Sequence, residues 1–350
     1  MNKSLPLLSL LSLGLIFGGP IDSLTKSATA AGHGKDVNWN LSTWGKRRAF
    51  TEGIEAVSKY VADKSGGHFT IKINYGGTLS KPRENLDGIS LGAFEAATFC
   101  ASYHADKNKS VTVLELPFLP ITNGDVQKAA DLAVYSHPAT IKEMAKWNAK
   151  LMMSAALPQY EFMGRGKEPR TIADFKGMRV RALGGIGKAM KMIGAVPTTV
   201  TAPETYTAIE TGTVDAAAFA FYSHFSYKIN EVSTWRTTNL SPGSVNCPLV
   251  VNIDAYNSLP DKYKKILSDA VDAGYAALDK AYSASIDKYT PQADKQGIKK
   301  ITYSEADLDA FRKAAAQPVW DQWIKEANAA GLPAQELLDL VLKTAKDAAK

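Results

Sequence analysis

The chain has 350 residues, of which 45% are hydrophobic and 22% are charged, and its formal net charge is +6. This composition is ordinary for a soluble globular protein, and the length allows two lobes because single cores rarely grow past ~250–300 residues. The lysines are scattered along predicted helices rather than grouped in blocks, which argues against binding of nucleic acid.

The first 30 residues have the organisation of a secretory signal peptide. Lys3 supplies the positive charge, residues 5–17 form an apolar run, and Ala28, Thr29 and Ala30 match an A-x-A cleavage site. No cysteine follows the apolar run, which excludes a lipoprotein anchor. No later segment offers the ~20 apolar residues needed to span a bilayer. We therefore expect an exported periplasmic protein.

The first half of the chain predicts strands alternating with helices. The strands are predicted at residues 37–43, 69–75, 93–100 and 151–157, and the helices at 46–64, 82–91 and 125–149, with a break near His137 and Pro138. Residues 158–169 are interpreted as a loop or lobe crossing because they are rich in proline and glycine. This alternation predicts an α/β fold with substantially parallel strands.

A second alternating segment, residues 173–217, places one arginine at the end of a strand. Residues 178–183 (MRVRAL) alternate as a strand, and Gly184, Gly185 and Gly187 then begin a helix that Gly194 ends. An anion bound here would meet the guanidinium of Arg181 together with the amides at the start of that helix. The segment therefore predicts a carboxylate-binding site.

The chain then changes from an apolar strand to a helical last third. Over residues 216–222 (AAAFAFY), strand alternation places Phe219 and Phe221 on one face and Tyr222 on the other. Helices are predicted at residues 261–284, with an extension to 296 interrupted at Pro291, and at 306–330 and 333–349.

Several short motifs resemble catalytic or metal sites without the context that such sites require. Gly88, Ser90 and Gly92 match G-x-S-x-G, but the strand comes after the motif rather than before it. The glycines at 184–187 fit no nucleotide-binding pattern, and His104 with Asp106 is better explained as a solvated loop pair. We expect no catalytic residue, no metal and no cofactor.

The two cysteines, Cys100 and Cys247, leave one question open. An oxidising compartment permits a disulfide between them, but two buried thiols fit the sequence equally, since spacing alone does not decide pairing.

Three blocks occur in order along the chain, at residues 174–181 (DFKGMRVR), 193–197 (IGAVP) and 204–215 (ETYTAIETGTVD). Together with residues 86–92 (LDGISLG) and 116–119 (LPFL), they resemble the extracytoplasmic solute-binding proteins of TRAP transporters, the DctP-type family. The resemblance covers nearly all of the chain beyond the first 35 residues. It implies a two-lobed, type II-like periplasmic-binding-protein fold with C-terminal helices and a helix, residues 261–284, that bridges the lobes.

The resemblance also implies lobe boundaries and a site. Lobe 1 is expected over residues 36–160 plus about 247–288, and lobe 2 over 161–246 plus about 289–350. In the family an arginine at the position of Arg181 bonds the ligand carboxylate, and Arg165 matches a second arginine. The further ligand-binding candidates are Trp44, Phe99, Ser102, Tyr103, Tyr206, Phe219, Tyr222 and Asn246.

The implied function is that of a receptor that passes a small organic acid to a membrane permease. This chain has alanine and phenylalanine after Asp215 where many members have polar residues. We therefore expect a monocarboxylate or 2-oxo acid with an apolar or aromatic body, or a C4-dicarboxylate if Arg165 also faces the ligand. A binding lobe of an ABC transporter or a sensor has the same architecture, and the sequence leaves monomer and homodimer open.

Overall fold

The computed structural model describes residues 36–350, so the predicted signal peptide lies outside the described residues. The strands are β1 (Val37–Ser42), β2 (Phe69–Asn74), β3 (Ala96–Thr98), β4 (Ala149–Ser154), β5 (Tyr160–Gly164), β6 (Arg179–Arg181), β7 (Val196–Thr198), β8 (Ala216–Ala220), β9 (Trp235–Thr237), β10 (Pro248–Asn252) and β11 (Lys299–Ile301). The helices are α1 (Glu52–Ser65), α2 (Asn85–Ser90), α3 (Gly124–Ser136), α4 (Pro138–Ala145), α5 (Gly184–Met192), α6 (Thr205–Glu210), α7 (Phe221–Ser226), α8 (Ile253–Asn257), α9 (Asp261–Lys295), α10 (Glu305–Ala329) and α11 (Ala334–Ala348).

The strands form two mixed sheets. The first has the order β2-β1-β3-β10-β4 and the second the order β11-β9-β5-β8-β6-β7. β10 runs antiparallel to β3 and β4, and β5 runs antiparallel to β8 and β9. The expectation of substantially parallel pairing is therefore only partly correct. Both antiparallel strands lie where the chain has just passed from one sheet to the other. We call the first sheet with its helices lobe 1 and the second sheet with its helices lobe 2.

The long helix α9 contacts both lobes. It packs against α1 and β4 of lobe 1 and against α7 of lobe 2. Its 35 residues span roughly 52 Å at 1.5 Å per residue. The helix continues through Pro291, where the sequence predicts a break. Proline has no backbone N–H, so the carbonyl of Asp287 receives no hydrogen bond from within the helix. Pro291 is exposed, and water can therefore donate to that carbonyl.

Close packing beneath α9 depends on two glycines. A Cβ on Gly53 of α1 would lie 2.9 Å from the Leu278 side chain, and one on Gly274 of α9 would lie 2.5 Å from the Met153 sulfur. Because glycine has no side chain, α1, α9 and β4 can pack closely at these two positions, and this packing holds α9 against lobe 1.

Three elements differ from the sequence-based prediction. β5 occupies residues interpreted as a loop, because Pro158 and Gly166 on either side obscured its apolar pattern. β8 ends at Ala220 and α7 begins at Phe221, so strand alternation does not continue to Tyr222. α1 begins at Glu52 rather than near residue 46, because an irregular segment and a short 3₁₀ turn precede it.

The last helix, α11, packs against α3 of lobe 1, whereas the sequence assigns residues 289–350 to lobe 2. Its apolar stripe includes Leu337, Leu338 and Val341, which share a core cluster with Val134 of α3. The apolar face of α3 is covered in this way. None of the helices in residues 36–350 combines the length and the apolar character needed to cross a membrane.

Candidate functional site

A narrow cavity lies between the two lobes, and seven of its sixteen lining residues are aromatic. The space in it that is open to a water-sized sphere is about 20 Å³, which is room for about one water molecule. The lining residues are Trp44, Arg48, Phe50, Cys100, Tyr103, Leu157, Tyr160, Arg181, Leu183, Ala202, Phe219, Tyr222, Ser223, Tyr227, Val245 and Cys247. No aspartate, glutamate, asparagine or glutamine is among them.

Arg181 is the most deeply buried charge in this wall. It ends β6 and is 1% exposed. Its Nε donates to the carbonyl of Val200 at 3.0 Å and its Nη1 to the carbonyl of Ala218 at 2.8 Å. Its Nη2 donates to the hydroxyl oxygen of Tyr103 at 3.3 Å, and the ring of Phe219 lies 3.9 Å from its central carbon. These contacts hold the guanidinium plane in one orientation.

The positive charge of Arg181 has no carboxylate partner among residues 36–350. Arg179, two residues earlier on the same strand, is exposed and forms an ion pair with Asp215. A guanidinium has five N–H donors, and the three bonds of Arg181 leave two of them for another acceptor. Because an unpaired buried charge is costly, this geometry favours an anion bound at Arg181.

Seven of the lining residues form a closed series of contacts around the cavity, which we call the contact ring. The central carbon of Arg181 lies 3.9 Å from the ring centroid of Phe219, and the central carbon of Arg48 lies 5.4 Å from that of Tyr227 and 4.5 Å from that of Phe50. The ring centroids are 5.8 Å apart for Phe219 and Tyr227, 5.3 Å for Phe50 and Trp44, and 6.1 Å for Trp44 and Tyr103. The hydrogen bond from Arg181 to Tyr103 completes the series.

The contact ring crosses between the lobes in two places. Tyr103 of lobe 1 accepts hydrogen bonds from Arg181 and, at 2.9 Å, from the backbone N–H of Ala202, both in lobe 2. Arg48 of lobe 1 lies over the ring of Tyr227 in lobe 2. Relative motion of the lobes would therefore open the cavity at these two contacts.

Three further tyrosines keep their phenol protons at neutral pH. Burial raises the pKa of Tyr160, of Tyr227 and of Tyr222, the last to about 12. Arg181 opposes this effect at Tyr160, and Arg48 opposes it at Tyr222 and Tyr227. The cavity therefore offers neutral hydroxyl donors beside its two cationic side chains.

His224 lies behind Phe219 and adds no positive charge to the wall. Their rings meet edge to face with 5.7 Å between centroids, and Nε2 of His224 is 3.1 Å from the carbonyl of Glu161. Burial, with a smaller contribution from the charges of Arg181 and Arg236, lowers the pKa of His224 to about 3. The imidazole is neutral at physiological pH.

Cys100 and Cys247 form a disulfide in the cavity wall, which answers the question that the sequence left open. Cys100 follows β3 and Cys247 precedes β10, and backbone hydrogen bonds flank the pair, from Ala101 to Asn246 and from Phe99 to Pro248. The disulfide fixes the start of the short helical turn that carries Tyr103.

Gly184 and Gly185, which begin α5, are not among the residues that line the cavity, whereas the sequence-based prediction places their amides at the bound anion. Gly184 and Gly185 face lobe 1, where a Cβ on Gly184 would lie 2.4 Å from a carboxylate oxygen of Glu115. A Cβ on Gly185 would lie 2.0 Å from the Glu115 carbonyl oxygen and 2.9 Å from Pro117. These two glycines therefore allow close approach of the lobes.

A buried carboxyl network lies in lobe 1 next to that contact. One oxygen of Glu115 accepts the backbone N–H of Asn246 at 3.0 Å, and the Asn246 side chain donates to Asp131 at 2.8 Å. Ser102 donates its hydroxyl to Glu115 at 2.6 Å. Burial raises the pKa of Glu115 and of Asp131 to about 7 each.

The structure brings five of the ten predicted binding residues to the cavity. These are Trp44, Tyr103, Arg181, Phe219 and Tyr222. Tyr222 reaches it together with Phe219 because the strand has already turned into a helix, so the predicted opposite faces do not apply.

The other five predicted residues lie elsewhere. Phe99 is buried in the core of lobe 1, while Ser102 and Asn246 belong to the Glu115 network. Tyr206 lines an outer groove of about 910 Å³. Arg165 is exposed and follows β5 at its far end, roughly 16 Å along the strand from Tyr160 at 3.3 Å per residue.

The outer groove adjoins the cavity at three shared residues, Arg48, Tyr222 and Tyr227. The groove is lined by Gly45, Lys46, Arg47, Arg48, Ala49, Glu52, Pro203, Tyr206, Tyr222, Ser226, Tyr227, Lys228, Glu231, Ala281, Ala284, Ser285, Lys288 and Tyr289.

Sequence reasoning missed Arg48, Phe50, Tyr160 and Tyr227 in the cavity wall. A signal existed for the first two, because Arg48 and Phe50 closely follow Trp44 in the connection after the first predicted strand. Tyr160 lay in the segment interpreted as a loop. No group of three or more acidic, histidine or cysteine side chains in the described part of the chain is arranged to hold a metal ion.

Comparison with known proteins identifies the family. Residues 42–326 match the model of the DctP family, described as bacterial extracellular solute-binding protein, family 7. The chain belongs to this family. Its members are solute-binding receptors rather than enzymes, as the sequence predicted for this chain.

Individual DctP-family relatives are distant in sequence but similar in length and fold. A monocarboxylate 2-oxoacid-binding periplasmic protein of Nostoc sp. is 24% identical over 82% of this chain and 83% of its own. A marine metagenome TRAP solute-binding protein specific for aromatic acid ligands superposes with a TM-score of 0.80 at 21% identity, covering 90% of this chain and 100% of its own. A TRAP protein of Roseobacter denitrificans with bound β-D-glucuronate gives a TM-score of 0.73 at 19% identity, covering 87% of this chain and 99% of its own. These similarities confirm the two-lobed α/β fold.

Proposed function

We propose that this protein is a periplasmic receptor that binds a small monocarboxylate or 2-oxo acid with an apolar or aromatic body. The ligand carboxylate would bond the two uncommitted N–H groups of Arg181, with the lobes closed less tightly around the ligand than they are here, where the cavity has room for about one water molecule. The observation that carries the proposal is the burial of Arg181, which is 1% exposed and has no carboxylate partner in the described residues. A charge-assisted, two-pronged contact with a carboxylate is among the stronger hydrogen-bonded interactions.

The cavity wall supports an apolar or aromatic ligand body. Phe219, Trp44 and Phe50 line it, and it offers no side-chain amide or carboxylate to bond ligand hydroxyls. The polar side chains of the wall are two arginines, four tyrosines and one serine, so a sugar-acid hydroxyl that faces the apolar part of the wall would lose its hydration without gaining a partner, which is costly. The Nostoc relative is named for 2-oxo acids and the marine protein for aromatic acids, and both classes fit such a wall.

The proposed role in transport follows from the geometry of closure. A ligand that bonds Arg181 and contacts the walls from both lobes stabilises the closed form by its difference in affinity for the two states. A TRAP-type membrane permease that prefers the closed form would then receive loaded receptor. The predicted signal peptide supports a periplasmic location, and intact-mass analysis of periplasmic protein should find the mature chain beginning near Ala31.

The experiment that tests the proposal is calorimetry with benzoate, pyruvate, succinate and glucuronate. We expect benzoate or pyruvate to bind more tightly than glucuronate, and Arg181→Gln to weaken binding at least tenfold. Arg179→Gln is the matched control, since it removes an exposed, paired arginine from the same strand. Tightest binding of glucuronate, or unchanged affinity in a folded Arg181→Gln variant, would contradict the proposal.

A C4-dicarboxylate is the second candidate ligand. Arg165 gives it no support, because that side chain is exposed at the far end of β5. Arg48 supports it instead, because a second guanidinium lies in the cavity wall. The succinate measurement distinguishes the two classes.

A further inference from the structure

Two adjacent arginines, Arg47 and Arg48, have opposite environments. Arg47 is exposed and pairs with Glu52 through two hydrogen bonds of 2.8 Å. Arg48 is half-buried and pairs with no carboxylate of the described residues. The difference shows that Arg48 is not a simple surface ion-pairing residue.

Backbone carbonyls and two aromatic rings hold the Arg48 guanidinium in place. Its Nη1 donates to the carbonyl of Trp44 at 2.9 Å and to that of Lys46 at 2.8 Å. Its central carbon lies 4.5 Å from the centroid of Phe50 and 5.4 Å from that of Tyr227. Its Nε and Nη2 donate to no described residue, which leaves three N–H groups for an acceptor.

Arg48 lies where the cavity meets the outer groove. It lines both spaces, together with Tyr222 and Tyr227. Arg181 contacts the ring of Phe219, which stacks on Tyr227 with 5.8 Å between centroids, and Arg48 contacts Tyr227. The cavity thus has one guanidinium without a carboxylate partner at its buried end and another where it meets the outer groove.

We propose that Arg48 is a specificity-determining residue that binds a second oxygen acceptor of the ligand. The ligand class is then a carboxylic acid with a hydroxyl, keto or second carboxylate oxygen at the end away from the carboxylate that Arg181 holds. This inference rests on the proposed function, because it needs the first carboxylate at Arg181. A monocarboxylate without the second acceptor would leave the mouth arginine without a partner and bind more weakly.

The test compares matched pairs of acids by calorimetry. Benzoate is paired with 3-hydroxybenzoate and isophthalate, and butyrate with succinate, against the native protein and its Arg48→Gln variant. We expect the native protein to prefer the member with the second acceptor by at least tenfold in one pair. Arg48→Gln should abolish that preference, because affinity for the member with the second acceptor should fall at least tenfold more than affinity for benzoate or butyrate.

Two controls separate this inference from the proposed function. Arg47→Gln removes the neighbouring exposed charge and should leave the preference intact. Arg181→Gln should weaken both members of every pair. If Arg181→Gln leaves all binding unchanged, or if no acid binds the native protein, the proposed function fails and the inference fails with it.

The outcomes for Arg48 itself are equally distinct. An equal loss for both members of a pair would assign Arg48 to holding the cavity wall and would overturn the inference. An unchanged preference in the variant would also overturn it. Arg48→Lys guards against a local folding defect: it keeps the charge without the planar fork, and should retain an intermediate preference.

Discussion

The guanidinium of Arg181 and the hydroxyl of Tyr103 meet across the cleft, with 3.3 Å between Nη2 and the phenol oxygen. The same oxygen accepts the backbone N–H of Ala202 at 2.9 Å. Both bonds use the lone pairs of Tyr103, so its own proton has no acceptor in the described residues. Tyr103 therefore joins the lobes and still has a donor to offer a ligand carboxylate beside Arg181.

Tyr103→Phe should weaken binding of the acid about tenfold or more. The change removes a bond to a charged group, which is worth roughly 1.5–3 kcal/mol, together with the free donor. Calorimetry with the tightest acid of the panel measures the effect. Tyr135→Phe is the control, since the Tyr135 hydroxyl bonds Asn246 inside lobe 1 and does not line the cavity. Equal affinity in Tyr103→Phe and the native protein would exclude this role.

Gly185→Ala should impair closure of the lobes. The added Cβ would lie 2.0 Å from the carbonyl oxygen of Glu115, so the lobes must stay further apart. We expect at least a tenfold loss of affinity and a larger radius of gyration by X-ray scattering with ligand present. Gly124→Ala is the control, because its Cβ would lie 3.7 Å from the nearest atom, an oxygen of Asp279. A variant that closes normally with ligand would show that this contact does not limit closure.

Glu115→Gln should change how stability depends on pH. Burial raises the pKa of Glu115 to about 7 from its usual 4.5, so the folded protein holds more protons than the unfolded chain between these values. The contribution of Glu115 to the free energy of unfolding is therefore full below pH 4.5 and declines as pH rises through 7. The midpoint of thermal unfolding of the variant, relative to the native protein, should rise from pH 5 to pH 8.

Comparison at each pH cancels the effects of other groups. His224, with its pKa lowered to about 3, acts in the opposite direction, since its contribution is lost as pH falls below 6.5. Asp131→Asn should behave like Glu115→Gln, because burial raises the pKa of Asp131 to about 7 as well. A constant difference between native and variant midpoints from pH 5 to pH 8 would contradict this account.

The sequence predicted that Arg181 ends a strand, as it does, because the signal for that position is local. A strand end, the following glycines and the family blocks all lie within a few residues of it. The same holds for most helices, whose apolar spacing is a local property. The position of Gly184 and Gly185 outside the cavity wall could not be predicted, because their neighbour, Glu115, is distant in sequence and belongs to the other lobe.

The other residues of the cavity wall could not be predicted from the sequence, because they come together only when the two lobes close. Arg48 and Tyr227 become neighbours only when the lobes meet, and neither follows a motif. Arg165 carried a family signal, but the direction of β5 places it on the exposed end of the strand. Tyr222 depended on where β8 gives way to α7, a boundary that alternation alone does not reveal.

Removal of the disulfide should lower both stability and affinity. Cys100 and Cys247 are 147 positions apart, and loss of a native disulfide typically costs roughly 2–5 kcal/mol. The Cys100→Ala, Cys247→Ala double variant should therefore unfold at a clearly lower temperature. Because Cys100 directly precedes the turn that carries Tyr103, the acid should also bind several-fold more weakly.

A comparison of affinities with Tyr103→Phe and with a triple variant tests whether the effect of the disulfide on binding depends on Tyr103. The triple variant carries both cysteine changes and Tyr103→Phe. If the disulfide acts by positioning Tyr103, the triple variant should bind the acid no more weakly than the weaker of the double variant and Tyr103→Phe. Fully additive losses of affinity would mean that the disulfide affects the cavity by another route.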